Sequence, residues 1–135
     1  MNLPLPLTYR RLLHMFEQLD FSLNLNKTQG RATTFSELKK GIQISTKREF
    51  TFDVFAQILE VAPKMYNHHW EYRKHQNELM IDIPKNIVDI LEFPITTYQS
   101  PEEYETSLKS ELLQKRKDFF RDSLLSKVYV QYQIA

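Results

Sequence analysis

Between Thr33 and Pro84 the spacing of apolar residues changes from helical to alternating, which restricts the chain to few folds. Up to Pro63 these residues recur in steps of three and four, as on one face of a helix; beyond Trp70 they alternate, as in a strand with one buried face. Thr34-Phe35-Ser36-Glu37 has the spacing of a capping box, in which the Thr hydroxyl accepts from the third amide and the Glu reaches back. Phe35, Leu38 and Ile42 then face inwards, and Ser45 to Glu49 makes a polar break. Thr51 caps a further helix from about Phe52 to Ala62, with Val54 or Phe55, Ile58, Leu59 and Val61 inside and Pro63 ending it. His69 to Arg73 places Trp70 and Tyr72 on one face. Leu79 to Pro84 turns Leu79, Ile81 and Ile83 inward and Met80 and Asp82 outward, with Lys74 to Asn77 as the tip between the strands.

Upstream, Tyr9, Leu12, Phe16, Leu19 and Leu23 form the stripe of a longer helix from Leu7 or Thr8 to Leu23, widened by Leu13 and Met15. Leu3, Pro4, Leu5 and Pro6 lead into it in an extended approach. Asn24 to Gly30 reads as a loop, with Gly30 a turn, and Arg31 to Thr33 is placed to add a small third strand. Three helices followed by a β-hairpin outline a winged helix. Downstream of a mixed connector, Ser100-Pro101-Glu102-Glu103 combines an N-cap, a Pro at the first helical position and acids in the first turn. Tyr104, Leu108, Leu112, Phe119 and Leu124 give that helix an apolar stripe, and its charges, alternating in sign, form a solvated face. The expected fold is therefore α+β: a winged-helix core over 1–84, a connector over 85–99, and a long C-terminal helix over 100–135 that packs on the core or extends from it.

In a DNA-reading winged helix the last helix of the core enters the major groove and offers Arg, Lys, Asn or Gln to base edges. Here its only charges are Asp53 and Glu60, and Gln57 alone is able to address a base. A negative helix is repelled by a phosphate-lined groove, so the module is expected to grip protein. Charge elsewhere is uneven despite a net +1: Lys27, Arg31, Lys39, Lys40, Lys47 and Arg48 stand against Glu37 alone, a local +5. That run, with Arg73 and Lys74 of the hairpin, suits phosphates or an acidic protein surface, and an ordinary solvated face explains it equally. DNA contact through these side chains is expected to be weak and non-specific.

Other chemistries find little footing. There is no cysteine, so disulfides, thiolate metal sites and a cysteine nucleophile are excluded together. The two glycines, Gly30 and Gly41, are too far apart for a phosphate-cradling loop. His68 and His69 are adjacent on a strand and point to opposite faces, while His14 and His75 lie elsewhere, so no metal site is expected. No Ser, His or acid falls in a catalytic spacing; neither enzyme activity nor a cofactor is expected. Neither an apolar run of roughly 18 residues nor a secretory leader is visible, so no membrane partner is expected.

With these residues in hand, the chain resembles the central domain of the chromatin licensing and DNA replication factor family, the geminin-binding proteins that help load the replicative helicase. Leu5-Pro6-Leu7-Thr8-Tyr9 through Leu12, Met15-Phe16 and Asp20 is similar to that family's Leu-Pro-x-x-Tyr opening and its Met-Phe-x-x-x-Asp continuation. Thr34-Phe35 with Gly41-Ile42-Gln43, then Phe50, Gln57-Ile58, Val61 and Pro63, resemble its second and third helices. Leu112-Leu113-Gln114-Lys115-Arg116 with Phe119 is similar to its C-terminal helix. The likeness leaves out only Lys85 to Gln99, and it rests on the order of these clusters.

The resemblance implies a winged helix acting through protein contacts, in the nucleus, with the minichromosome maintenance helicase and origin-loading proteins as partners, and geminin where the organism has it. Geminin packs on the family's N-terminal region, which implicates Leu5, Pro6 and Tyr9, with Leu12 and Leu13 in support; the sequence departs at Leu7 and Thr8, where animal members tend to have Tyr and Lys. The family's long disordered N-terminal region and second winged helix are not in these 135 residues, which suggests an excised domain or a short member. The rival readings are a transcriptional, DNA-binding winged helix and a structural subunit of another assembly.

Overall fold

The computed structural model describes residues 4–84 and 101–134, the side chains of the last helix over 111–130. Its elements are α1 (Leu7–Thr28), α2 (Phe35–Thr46), α3 (Phe52–Val61), β1 (Asn67–Arg73), β2 (Gln76–Asp82) and α4 (Pro101–Ile134). Three helices and an antiparallel hairpin make a winged helix of class α+β, with the long α4 laid against it. Both expected caps are present: the Thr34 hydroxyl accepts from the Glu37 amide at 3.2 Å, and the Thr51 hydroxyl accepts from the Val54 amide at 3.2 Å. Between these helices Phe50 is fully buried, its amide donating to Gln43 Oε1 at 3.0 Å and its ring 5.4 Å from that of Phe35.

The core gathers Leu12, Phe16, Leu19 and Leu23 of α1, Leu38 and Ile42 of α2, Phe55 and Ile58 of α3, and Leu79 and Ile81 of β2. Each such side chain contributes about 1.5–3 kcal/mol by leaving water. The hairpin is longer than the apolar alternation implied, because polar residues from Asn67 and from Gln76 onward join the backbone ladder, Asn67 opposite Asp82 and Arg73 opposite Gln76. Its tip shrinks to Lys74 and His75, both with positive φ (50° and 67°), the two-residue turn whose twist suits an antiparallel pair. The small third strand is reduced to one bridge, Thr34 to Met80, and a hydrogen bond from the Ile81 amide to the Thr33 carbonyl at 3.1 Å.

Two expectations about the helices need correction. α1 does not stop at Leu23 but continues to Thr28. Asn26 is buried there, its side-chain amide donating to the Ala32 carbonyl at 3.1 Å, and Gly30 with φ 68° then turns the chain. The stripe of α4 is also different: Phe119 is 39% exposed, and Leu112, Arg116, Phe120, Leu124 and Val128 point to the core in steps of four. The side chains of the expected stripe residues Tyr104 and Leu108 lie outside those described, and Leu3 and the connector from Lys85 to Gln99 lie outside the described residues altogether.

Arg116 also breaks the expectation that the charges of α4 are solvated, being 0% exposed. Its Nε and Nη2 donate to Asp20 Oδ2 and Oδ1 of α1 at 2.8 and 2.9 Å, a two-pronged pair. The Tyr66 hydroxyl donates to the same carboxylate. The guanidinium lies 4.9 Å from the Tyr66 ring centre and 5.7 Å from that of Phe16, which also stacks on Phe120 at 4.3 Å. Arg116 Nη1 has no hydrogen-bond partner among the described residues, so the ring faces are what it meets. Burial opposes the charge on Arg116, yet the hydrogen bonds and attraction of Asp20 outweigh it and raise its pKa.

Breaking the pair should cost more than its net worth. We predict that Asp20→Ala lowers unfolding free energy by about 3–5 kcal/mol in denaturant titration, because a buried cation is left unpaired. The double variant Asp20→Leu, Arg116→Met should recover most of that loss. A second expectation concerns base. Burial, and then the neighbouring Asp20 charge, raise the Tyr66 hydroxyl well above its ordinary pKa, although Arg116 pulls the other way. The folded chain keeps this proton where the unfolded chain has released it. Its contribution is intact below about pH 10 and is lost as pH rises beyond. Stability should therefore fall more steeply above that pH in the wild type than in Tyr66→Phe.

Candidate protein-docking site

The helix that would read DNA turns an acidic side outward. Ile58 and Phe55 hold α3 to the core, which leaves Asp53, Ala56, Gln57 and Glu60 exposed. A phosphate-lined groove would meet two carboxylates there, as the sequence implied.

Of the N-terminal residues, Thr8, Tyr9 and Leu12 lie beside this helix. Pro6 precedes α1 in extended backbone (φ −55°, ψ 154°), is exposed, and its carbonyl accepts from the Arg10 amide at 2.9 Å. Leu5, Tyr9 and Leu13 are half-buried and pack against the core, whereas Leu12 is buried within it. Leu7 points largely to solvent. Thr8, Tyr9 and Leu12 line a groove whose opposite wall is Gln57, Glu60 and Val61 of α3, closed at one end by Lys127 of α4. A shallower depression continues from Thr8 and Leu12 towards Met15, Val54, Arg11 and Arg48. A third runs from Tyr9 and Glu60 to Ser126 and Val130. Together they form a band with apolar walls from Leu12, Met15, Val54 and Val61, and a mixed-charge rim of Arg11, Arg48, Glu49, Glu60 and Lys127. Such a surface suits a peptide or helix that offers apolar anchors with polar flanks.

The basic residues do not share a face in this way. Arg48 borders the α1–α3 depression, and exposed Lys47 caps α2 in a left-handed conformation (φ 56°). Arg31 and Lys40 border a separate groove between α1 and α2; Lys39 is half-buried. Arg73 lies along β1 with its guanidinium 3.8 Å from Met80 Sδ, and Lys74 sits at the hairpin turn. Of the histidines, His68 meets the Phe55 ring edge-on at 6.0 Å and His69 contacts Glu71 at 3.1 Å.

Sequence reasoning missed the share of α4 in the groove. Lys127 and Val130 reach it because the i+4 ladder from Leu112 to Val128 holds α4 against α1 and α3. An Arg within that ladder, and Asp20 on the inner stripe of α1, were the signal: opposite charges on two buried faces must find each other.

A family model described as DNA replication factor CDT1 like matches residues 5–134. The chain is similar to the CDT1-like protein a, chloroplastic, of Arabidopsis thaliana, at 40% identity over 60 residues, which is 44% of this chain and 10% of that much longer protein.

The acidic helix carries a direct test. Replacing Gln57 with Ala should leave duplex-DNA affinity nearly unchanged in fluorescence anisotropy. A base reader would instead lose about 1–3 kcal/mol at one base position.

Proposed function

The chain belongs to the DNA replication factor CDT1-like family, and we propose that it serves replication licensing in the nucleus as a non-catalytic docking module. In this reading it holds protein surfaces together while the minichromosome maintenance helicase is loaded at origins. The observation that carries the proposal is the outward acidic side of α3, with Asp53 and Glu60 where a DNA reader needs cations. Its neighbour is a groove with apolar walls, which burial of a partner's side chains would fill.

The partner-binding residues of this proposal are Leu5, Pro6 and Tyr9, supported by Leu13. Leu12 takes part from below, since its side chain belongs to the core and forms the groove's floor. Geminin is the inhibitor this ledge would receive where an organism has it. DNA, in the same reading, meets only scattered cations such as Arg73, Lys74 and Arg48, a weak and salt-sensitive contact.

Binding assays against reconstituted origin-loading proteins test the ledge. Leu5→Ala together with Tyr9→Ala should weaken association by about 2 kcal/mol or more, as expected when two anchors are truncated. Thermal melting in parallel separates docking from folding. Normal binding by the double variant, or a loss that follows only its unfolding, would refute the ledge.

A further inference from the structure

We propose that the groove between the second half of α1 and α2 is a separate docking site, and that it takes an acidic amphipathic helix of a partner protein. The proposal rests on the protein-docking reading of the chain but shares no lining residue with the N-terminal ledge. Three large apolar side chains stand in solvent around this groove: Phe21 at 57% exposure and Leu25 at 40% from α1, and Ile44 at 79% from α2. Phe21 and Leu25 are one helical turn apart, so they present a single ridge, and Ile44 faces them from the opposite wall. Exposed apolar residues scattered singly are ordinary, but three around one cleft of about 360 Å³ are a patch.

The floor supplies an independent observation. Gly41 lies mid-way along α2, where Gly costs roughly 1 kcal/mol against Ala. The fold itself does not require it. A Cβ there would meet only Ser22 Oγ, at 3.7 Å, an ordinary contact. What the glycine provides is depth, since Gly41, Ser22 and Ser45 line the cleft without filling it.

Charge selects the occupant. Arg31 and Lys40 border the cleft against Glu37 alone. Lys40 reaches Glu37 at 3.5 Å with 71% of its side chain exposed, a pair that contributes little, and Arg31 makes no ion pair among the described residues. Lys27, four residues before Arg31, is held by Asp82 at 2.8 Å. A partner with carboxylates flanking an apolar ridge satisfies both the cations and the patch. A nucleic-acid backbone would satisfy the cations and leave Phe21, Leu25 and Ile44 uncovered. The walls are two helices, and the apolar positions lie one turn apart. An amphipathic helix with anchors at i, i+3 or i+4, and i+7 matches that geometry.

The test uses the full chain, labelled with ¹⁵N, and two synthetic helical peptides of about five turns. Both carry the same Leu ridge; one has Glu and the other Lys at the flanking positions. The Glu peptide should shift the amide resonances of Phe21, Leu25, Gly41 and Ile44 and bind more tightly than the Lys peptide, with the difference shrinking as salt is raised. Arg31→Glu with Lys40→Glu should weaken the Glu peptide about tenfold. Gly41→Ala should keep or raise the melting temperature while weakening binding, a combination that loss of fold cannot produce. The Leu5→Ala, Tyr9→Ala variant should retain the shifts. The proposal is overturned if neither peptide binds, if the two bind alike, if the charge-reversal or Gly41→Ala variants bind as the wild type does, or if the shifts fall on the N-terminal ledge. Of these, the last leaves the ledge reading standing.

Discussion

Arg116 of α4 meets Asp20 of α1 out of contact with water, and much of the architecture follows from the need to keep that guanidinium paired. Leaving that charge unpaired costs about 3–5 kcal/mol, a large share of the roughly 5–15 kcal/mol that holds a domain together. Tyr66, at the entrance to β1, adds its hydroxyl to the same carboxylate and its ring to the guanidinium face. One cluster thereby fixes the longest helix of the core, the approach to the wing and the appended helix. An apolar contact in its place would tolerate sliding of α4 along α1; the two-pronged pair specifies one register.

That register is what makes the candidate site. With α4 held at Arg116 and Phe120, its later turns bring Lys127 and Val130 beside Tyr9 and Glu60. The groove is thus a property of three helices, although apart from Leu12 its lining is of ordinary surface and half-buried residues. The same fixation leaves α3 facing outward with Asp53, Gln57 and Glu60. A winged helix used for docking protein has no need of a basic reading helix, and its cations are free to sit elsewhere. Here they are divided among the α1–α2 cleft, the turn before α3 and the wing.

How much of this was legible in the sequence depended on how local each signal is. Thr34 and Thr51 cap their helices through bonds to amides three residues on, so pattern and structure agree there. The last turn of α1 was hidden because Asn26 is satisfied by Ala32, a contact that no helical period encodes. β1 and β2 outran their apolar alternation because a ladder bonds backbone and is indifferent to Asn67, Gln76 or Asn77. On α4 the choice between Phe119 and Phe120 turns on one step of the helix, and an Arg at a core position argues against the correct face unless its partner is known. The expectation for Leu5, Pro6 and Tyr9 came from the Pro-punctuated approach and the family likeness, but the wall that faces Tyr9 was not legible. It comes from parts of α3 and α4 remote in sequence.

Hydrogen exchange on the full chain mixed with reconstituted helicase-loading proteins tests the central claim most directly, because it locates the docked face without changing a residue. The account predicts new protection over residues 8–12, 57–61 and 126–130, the segments that share the groove, and over the ledge residues 5–7 before them, with the wing turn at Lys74 and His75 unaffected. Protection by duplex DNA along α3 and the wing, with none gained from the protein partners, would contradict it.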